Sequence, residues 1–214
     1  MAQTGGGRGP AIVFDLGGVL IDWNPRHLYR KLIDDEARME WFLAEVCHSA
    51  WNEEQDRGRT FAAAIEEAAA RHPEHRPLIA AYFERWDEMM AGPVEGSVVI
   101  LEELKAAGYE LHGLTNWSAE TFPFARDRFA FLERFESILV SADVGLIKPD
   151  PAIFELLLAR IGRTPAECIY IDDNPRNVAA AAALGLDAIA FEGPDQLRDS
   201  LTRRDLLSGG SEKR

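Results

Sequence analysis

From Val94 onward the chain alternates helix-forming and strand-forming runs, and no other feature restricts the possible fold as much. VVILEELKAAG precedes YELHGLTN, a helical stretch after Ser118 precedes SILVSADVG, the run from Pro151 to Ile161 precedes ECIYIDD, and the run from Pro175 to Leu184 precedes DAIAFEG. Apolar strands separated by helical segments of this length require right-handed crossovers, which build a parallel sheet covered by helices on both faces. An earlier apolar run, AIVF at 11–14, adds a further strand. The pattern predicts a doubly wound α/β core. Asp150 before Pro151 and Asn174 before Pro175 are N-cap acceptors with proline at the first helical position, and Gly108, Gly162 and Gly185 stand where helices should stop.

Residues 22–92 interrupt this order. EARMEWFLAEV and RTFAAAIEEAAARH are rich in helix formers, HPEHRP and GP supply turns, and no strand signal stands out. The segment reads as a helical cap inserted into a core formed by 11–21 and 93–203, with loose tails at 1–10 and 204–214. At 214 residues, 47% of them hydrophobic, the chain can bury a core of that size.

The formal charge of -13 opposes a nucleic-acid partner, which would call for a basic face. No apolar run approaches the ~20 residues of a membrane span. The first residues, MAQTGGGRGP, lack the apolar stretch of a secretion signal, so a cytoplasmic location is the expectation. Cys47 and Cys168 are the only cysteines and have no metal-ligand spacing, so both are expected to be buried thiols.

Ligands of such sheets bind beyond the carboxyl ends of the strands. The residues at those ends are Asp15 with Gly17 and Gly18, then Thr115 and Asn116, then Lys148, then Asp172 and Asp173. Taken singly, Asp173 and Asn174 also suit capping of the helix at Pro175, Thr115 and Asn116 suit a turn before Ser118, and Lys148 suits a solvated loop. Four such groups in this order point instead to a site.

The order FDLGGV, LTNW, the lysine in GLIKPDP, and IYIDDNPRN resembles the four motifs of the haloacid dehalogenase-like hydrolase superfamily, with a helical cap after the first motif. The resemblance runs from about Ala11 to Gly193. It implies that Asp15 is the nucleophile that takes up a phosphoryl group and that Lys148 is the cation holding nucleophile and phosphate together. It also implies that Asp15, the Gly17 carbonyl and Asp173, with Asp172 beside them, hold Mg²⁺, and that Thr115, Asn116, Gly18 and Asn177 contact substrate or orient the site. The substrate would be a small phosphorylated metabolite. A phosphate dianion ~4 Å from an aspartate is opposed by roughly 4 kcal/mol at an effective dielectric of 20, so Mg²⁺ and Lys148 are needed to offset the three carboxylates.

One position departs from the pattern. Most phosphatases of the superfamily carry a second Asp two residues after the nucleophile as general acid and base; here it is Gly17. The loss of such a group costs on the order of 100-fold to 10,000-fold. Three readings follow: a phosphatase with another proton donor, similar to the α-glucose-1-phosphate phosphatases with their DLGNV motif; a 2-haloacid dehalogenase; or a binding protein without turnover. Asp22 and His27 are candidate replacements. In the cap, Trp23, Trp51, Asn52, Asp56 and Arg57 could face a sugar phosphate or form cap core and solvated surface, while His72 and His75 read as surface residues.

Overall fold

The structure, a computed structural model, describes residues 9–208. In chain order it begins with strands β1 (Ala11–Phe14) and β2 (Ile21–Trp23) and continues into helices α1 (Arg26–Tyr29), α2 (Glu36–Glu45), α3 (Ser49–Asp56), α4 (Phe61–Arg71) and α5 (Arg76–Glu84). Strand β3 (Met90–Pro93) then leads through α6 (Glu95–Ala106) to β4 (Leu111–Thr115), and through α7 (Phe122–Arg128) to β5 (Ser137–Val140). The last elements are α8 (Pro151–Ile161), β6 (Cys168–Asp172), α9 (Pro175–Ala183), β7 (Asp187–Ala190) and α10 (Pro194–Thr202).

The main sheet has the order β5-β4-β1-β6-β7, and every pairing in it is parallel. β1 is central and buried on both faces. Its residues alternate between two cores: Ile12 and Phe14 pack with residues of α6 and α10 and with the cap, Ala11 and Val13 with residues of α8 and α9. A doubly wound sheet reads as unbroken apolar runs because both faces are covered. The chain builds outward from β1 to β4 and β5, then returns to lay β6 and β7 on the other side. β1 is therefore where the order reverses, and the crevice beyond its carboxyl end is the place for a ligand.

The predicted caps form. The Asp150 side chain accepts from the Ala152 N–H at 2.9 Å and the Asn174 side chain from the Arg176 N–H at 3.0 Å. Gly162 ends α8 in the left-handed region, with φ 66°.

The segment 22–92 is helical, but it is not free of strand. β2 and β3 pair antiparallel, Asp22 opposite Gly92 and Trp23 opposite Met90, and form a ribbon at the neck where the chain leaves and rejoins the core. Three- and four-residue strands, one of them containing Gly and Pro, carry no periodic signal. They exist because the two ends of the insertion meet.

Of the expected tails, 1–8 and 209–214 lie outside the described residues. Residues 204–208 turn back onto the core, with Leu206 buried and Arg204 paired to Asp187 at 2.7 Å. Both cysteines are buried free thiols. Among the described residues no helix is long and apolar enough to cross a membrane.

Candidate active site

Asp15 follows β1 directly, and its backbone N–H still donates to the Ile171 carbonyl of β6, at 2.8 Å. The turn after it is tight: Leu20 and Ile21 both donate to the Leu16 carbonyl, and Gly18 N–H donates to the Ile21 carbonyl at 2.9 Å. Gly18 has φ 76°, and a Cβ there would run into the Asp173 carboxylate. Glycine is thus required by conformation and by close approach together. The resemblance made Gly18 a substrate contact, but its N–H is already used; Gly17, whose N–H and C=O have no backbone partner among the described residues, is the open group of the pair.

Lys148 is buried at 2% exposure rather than solvated. Its ammonium reaches Asp15 Oδ1 at 2.8 Å, Asp172 Oδ2 at 2.8 Å and the Leu114 carbonyl at 2.9 Å. Those three contacts use all three N–H donors of a lysine. Asp15 Oδ1 also accepts from the Leu16 N–H at 2.7 Å, whereas Oδ2 takes no hydrogen bond from the described residues. One carboxylate oxygen is pinned and the other left available.

Asp172 is fully buried, and its acceptors are engaged. Oδ2 accepts from Lys148, from the Tyr170 hydroxyl and from Asn177 Nδ2, while Oδ1 accepts from the Asn174 N–H at 2.7 Å and from Asn177 Nδ2 at 3.1 Å. Asn177 therefore holds Asp172 from the side. Thr115 is buried at the tip of β4, and its hydroxyl makes no hydrogen bond with the described residues. Asn116 is committed elsewhere: its amide donates to the Lys148 carbonyl at 3.0 Å and accepts from the Lys148 N–H at 2.8 Å. It shapes the backbone that presents the lysine.

Burial raises the Asp15 carboxyl well above the usual range, and the negative charges of Asp172 and Asp173 reinforce this against the pull of Lys148. Burial acts on Asp172 too, but Lys148 and the hydrogen bonds from Lys148, Tyr170 and Asn174 outweigh it, so that carboxyl lies low. Asp173, the most exposed of the three, is raised by burial and by Asp172. Burial opposes the Lys148 charge, yet Asp15 and Asp172 overcome it and raise its pKa. Carboxyl oxygens of Asp15, Asp172 and Asp173 lie within 4.8 Å of one another. An oxygen-only cluster with one exposed member suits a hard cation such as Mg²⁺ and not the nitrogen and sulfur preference of zinc.

Above these groups a cleft of about 90 Å³ is lined by Gly17, Trp23, Asn52, Asp56, Trp86, Asn116 and Trp117. Three expected cap residues, Trp23, Asn52 and Asp56, reach it. Trp51 does not; it is buried among Phe61 and Tyr82 with its indole N–H on the Ala64 carbonyl at 3.3 Å. Arg57 is exposed beside Glu54. Asp22 and His27 pair with each other at 3.0 Å, and His27 opens onto a separate surface groove, so neither borders the cleft. His75 is not a plain surface residue, since its ring packs edge-on to Phe42 at 5.7 Å. Sequence reasoning missed Trp86 and Trp117, whose tryptophans look like any core aromatics until the cap is folded over the strands.

A family profile described as haloacid dehalogenase-like hydrolase matches residues 10–185. The chain belongs to this family. Among curated relatives, this haloacid dehalogenase-like hydrolase is 30% identical over 203 residues to the sesquiterpene phosphatase astK of Aspergillus oryzae, a match covering 92% of the chain and 96% of the relative. It is 30% identical over 154 residues to the phosphoserine phosphatase of Thermus thermophilus, covering 72% of the chain and 61% of that protein. Among solved structures, the magnesium complex of a haloacid dehalogenase family enzyme from Bacteroides thetaiotaomicron superposes with a TM-score of 0.68 at 19% identity, covering 87% of this chain and 95% of that one. At that identity the likeness shows the fold.

Proposed function

We propose that this hydrolase is a Mg²⁺-dependent phosphatase of small organic phosphate monoesters that works through an aspartyl-phosphate on Asp15. The observation that carries the reading is the meeting, at one sheet edge, of a half-free Asp15 carboxylate, a buried lysine and a carboxylate cluster within 4.8 Å. Asp15, the Gly17 carbonyl and Asp173 would hold the Mg²⁺, which when bound offsets the charge of the phosphoryl oxygens. Asp172 supplies charge and a fixed partner for Lys148 rather than a free ligand oxygen.

In this reading Asp15 Oδ2 attacks phosphorus while Lys148 keeps Oδ1 in place and its charge works against the burial that raises the carboxyl. The Thr115 hydroxyl and the Gly17 N–H are the donors available to the equatorial oxygens, which carry the charge in a loose phosphoryl-transfer transition state. Covalent capture on Asp15 divides one hard displacement into two easier ones. The leaving group lies in the cleft between Trp23, Trp86 and Trp117. It extends past Trp23 and Asn52 into an adjoining groove of about 450 Å³ bordered by Leu43, Cys47 and Tyr82. Aromatic walls suit a sugar face or a larger apolar alcohol, and the two curated relatives named above carry phosphatase names. The buried free thiols fit a cytoplasmic setting.

A relative named as an (S)-2-haloacid dehalogenase from Burkholderia cepacia is 29% identical over 89 residues, 42% of this chain. Carbon attack needs no metal, however, and the Asp172 and Asp173 pair would then add buried negative charge without a use. Phosphate release from a panel of sugar phosphates, isoprenyl monophosphates, phosphoserine and flavin mononucleotide, with Mg²⁺ present, tests the proposal. Turnover that disappears in excess chelator and in Asp15→Asn is expected. Halide release from 2-haloacids with no phosphate release would reverse the assignment, and silence in both assays would leave only the binding-protein reading.

A further inference from the structure

We propose that Asp56, carried by the cap, is the proton donor and acceptor that the first strand lacks at Gly17. The inference rests on the phosphatase reading and adds a catalytic residue to it.

The geometry begins with an exchange of places. No atom stands within 4 Å of where a Cβ on Gly17 would lie, so the position of the missing acid is open space. Asp56, the last residue of α3, lines the same cleft from the cap. That end of the helix is fixed to the core: Ser141, immediately after β5, donates its hydroxyl to the Asp56 carbonyl at 2.6 Å and accepts from the Trp117 N–H at 2.9 Å. Gly58, with φ 108°, lets the chain pass close to the Ala142 carbonyl. The acid is therefore held over the strand tips by a seam between cap and core.

Structural roles do not account for the side chain. A carboxylate at a helix C-terminus opposes the helix dipole. Asp56 is only 6% exposed, and among the described residues its carboxylate makes no salt bridge and takes one hydrogen bond, from Asn52 Nδ2 at 3.1 Å. A buried acid without a cation is costly in its charged form. Burial and the nearby Glu53 push its pKa up to about 7, against the pull of Lys148. Its charge in turn adds to the burial that raises the Tyr82 hydroxyl on α5. Such a group exchanges a proton readily near neutrality, as a general acid and base must. Around it, Asn52 Oδ1 and the indole nitrogens of Trp23 and Trp86 are buried with no partner among the described residues, although all three residues line the cleft. Unpaired buried polar atoms beside an unpaired acid fit a cleft built to receive the polar end of an alcohol.

The chemistry balances. As Asp15 Oδ2 bonds to phosphorus and the ester P–O bond breaks, the departing alkoxide takes the Asp56 proton and leaves as the alcohol. Water then attacks phosphorus and gives its proton to the Asp56 carboxylate, and the Oδ2–P bond breaks to release phosphate and restore Asp15.

Leaving-group dependence tests the assignment. Asp56→Asn should lower kcat/KM for alkyl phosphates by ~100-fold or more. It should leave kcat/KM for para-nitrophenyl phosphate nearly unchanged, because that leaving group needs no proton. In the unmodified enzyme, kcat/KM should vary little across aryl phosphates of differing phenol acidity, a measurement independent of whether the variant folds. Equal losses on alkyl and aryl esters, no loss on either, or a steep dependence on phenol acidity in the unmodified enzyme would overturn the role of Asp56 alone. Absence of phosphate release from every ester by the unmodified enzyme would overturn this assignment and the phosphatase reading together.

Discussion

At the scale of single residues, Asp15 keeps one oxygen committed and the other free, and the charged groups that hold it are fully engaged. Lys148 has no donor to spare and Asp172 no free acceptor, so both position Asp15. Asp56 differs because, among the described residues, no cation pairs with it directly. A carboxyl raised in the folded state binds more protons there than in the unfolded chain, so it subtracts stability as pH rises from its ordinary 3.8 to about 7. The full loss is about 4 kcal/mol from that displacement, at 1.36 kcal/mol per unit. Asp56→Asn should therefore be more stable than the unmodified protein at pH 8 and close to it at pH 4. Urea denaturation at both values checks this, and an unchanged difference between them would contradict it. Asp15, Lys148 and the Asp172 and Asp173 pair were legible in the sequence because strand-end order places chemistry on one edge. The true partner of the Asn116 amide was not, because it is set by the backbone around Lys148, 32 positions away. A lone mid-sequence acid such as Asp56 carries no signal until burial and the cleft give it one.

At the scale of elements, the strands of the main sheet were readable because each is an apolar run closed by a polar tip. β2 and β3 were not, since their pairing is decided by the geometry of the insertion and not by either segment. The cap holds itself together by aromatic packing: Trp51, Phe61, Tyr82 and Trp86 contact one another in edge-on, tilted and stacked pairs with centroids 5.0–6.2 Å apart. Trp51→Ala should consequently lower stability by about 3–5 kcal/mol, as truncation of a buried aromatic does. Trp23→Ala, at the cleft, should instead raise KM for bulky phosphates with a smaller change in melting temperature. A Trp51 variant with normal stability and altered KM would show that the cap core has been misplaced. Ser141→Ala severs the one hydroxyl that bridges α3 and the loop after β4; leaving a buried carbonyl and N–H unmatched costs about 1–3 kcal/mol. The shift in urea midpoint measures it.

At the scale of the whole molecule, the ligand cluster draws on β1 and β6, whose residues are more than 150 positions apart in the chain. A cation bound there stabilises the folded state and has no matching site in the unfolded one. Mg²⁺ at about 100 times its dissociation constant should add about 2.7 kcal/mol and raise Tm accordingly. Asp173→Asn should abolish that rise while folding normally, because Asp173 is the exposed member of the cluster. An equal rise in the variant would place the cation elsewhere. Lysines and arginines are outnumbered by acidic residues, 23 to 36, so an anionic substrate meets a repelling field that the buried Lys148, and a cation if bound as proposed, would have to offset locally.

The vacancy beside Gly17 also bears on how the enzyme behaves in time. In the proposed cycle the proton carrier stands on the insertion and the nucleophile on the sheet, so whatever loosens the Ser141 seam between them should slow both halves of turnover without touching Asp15.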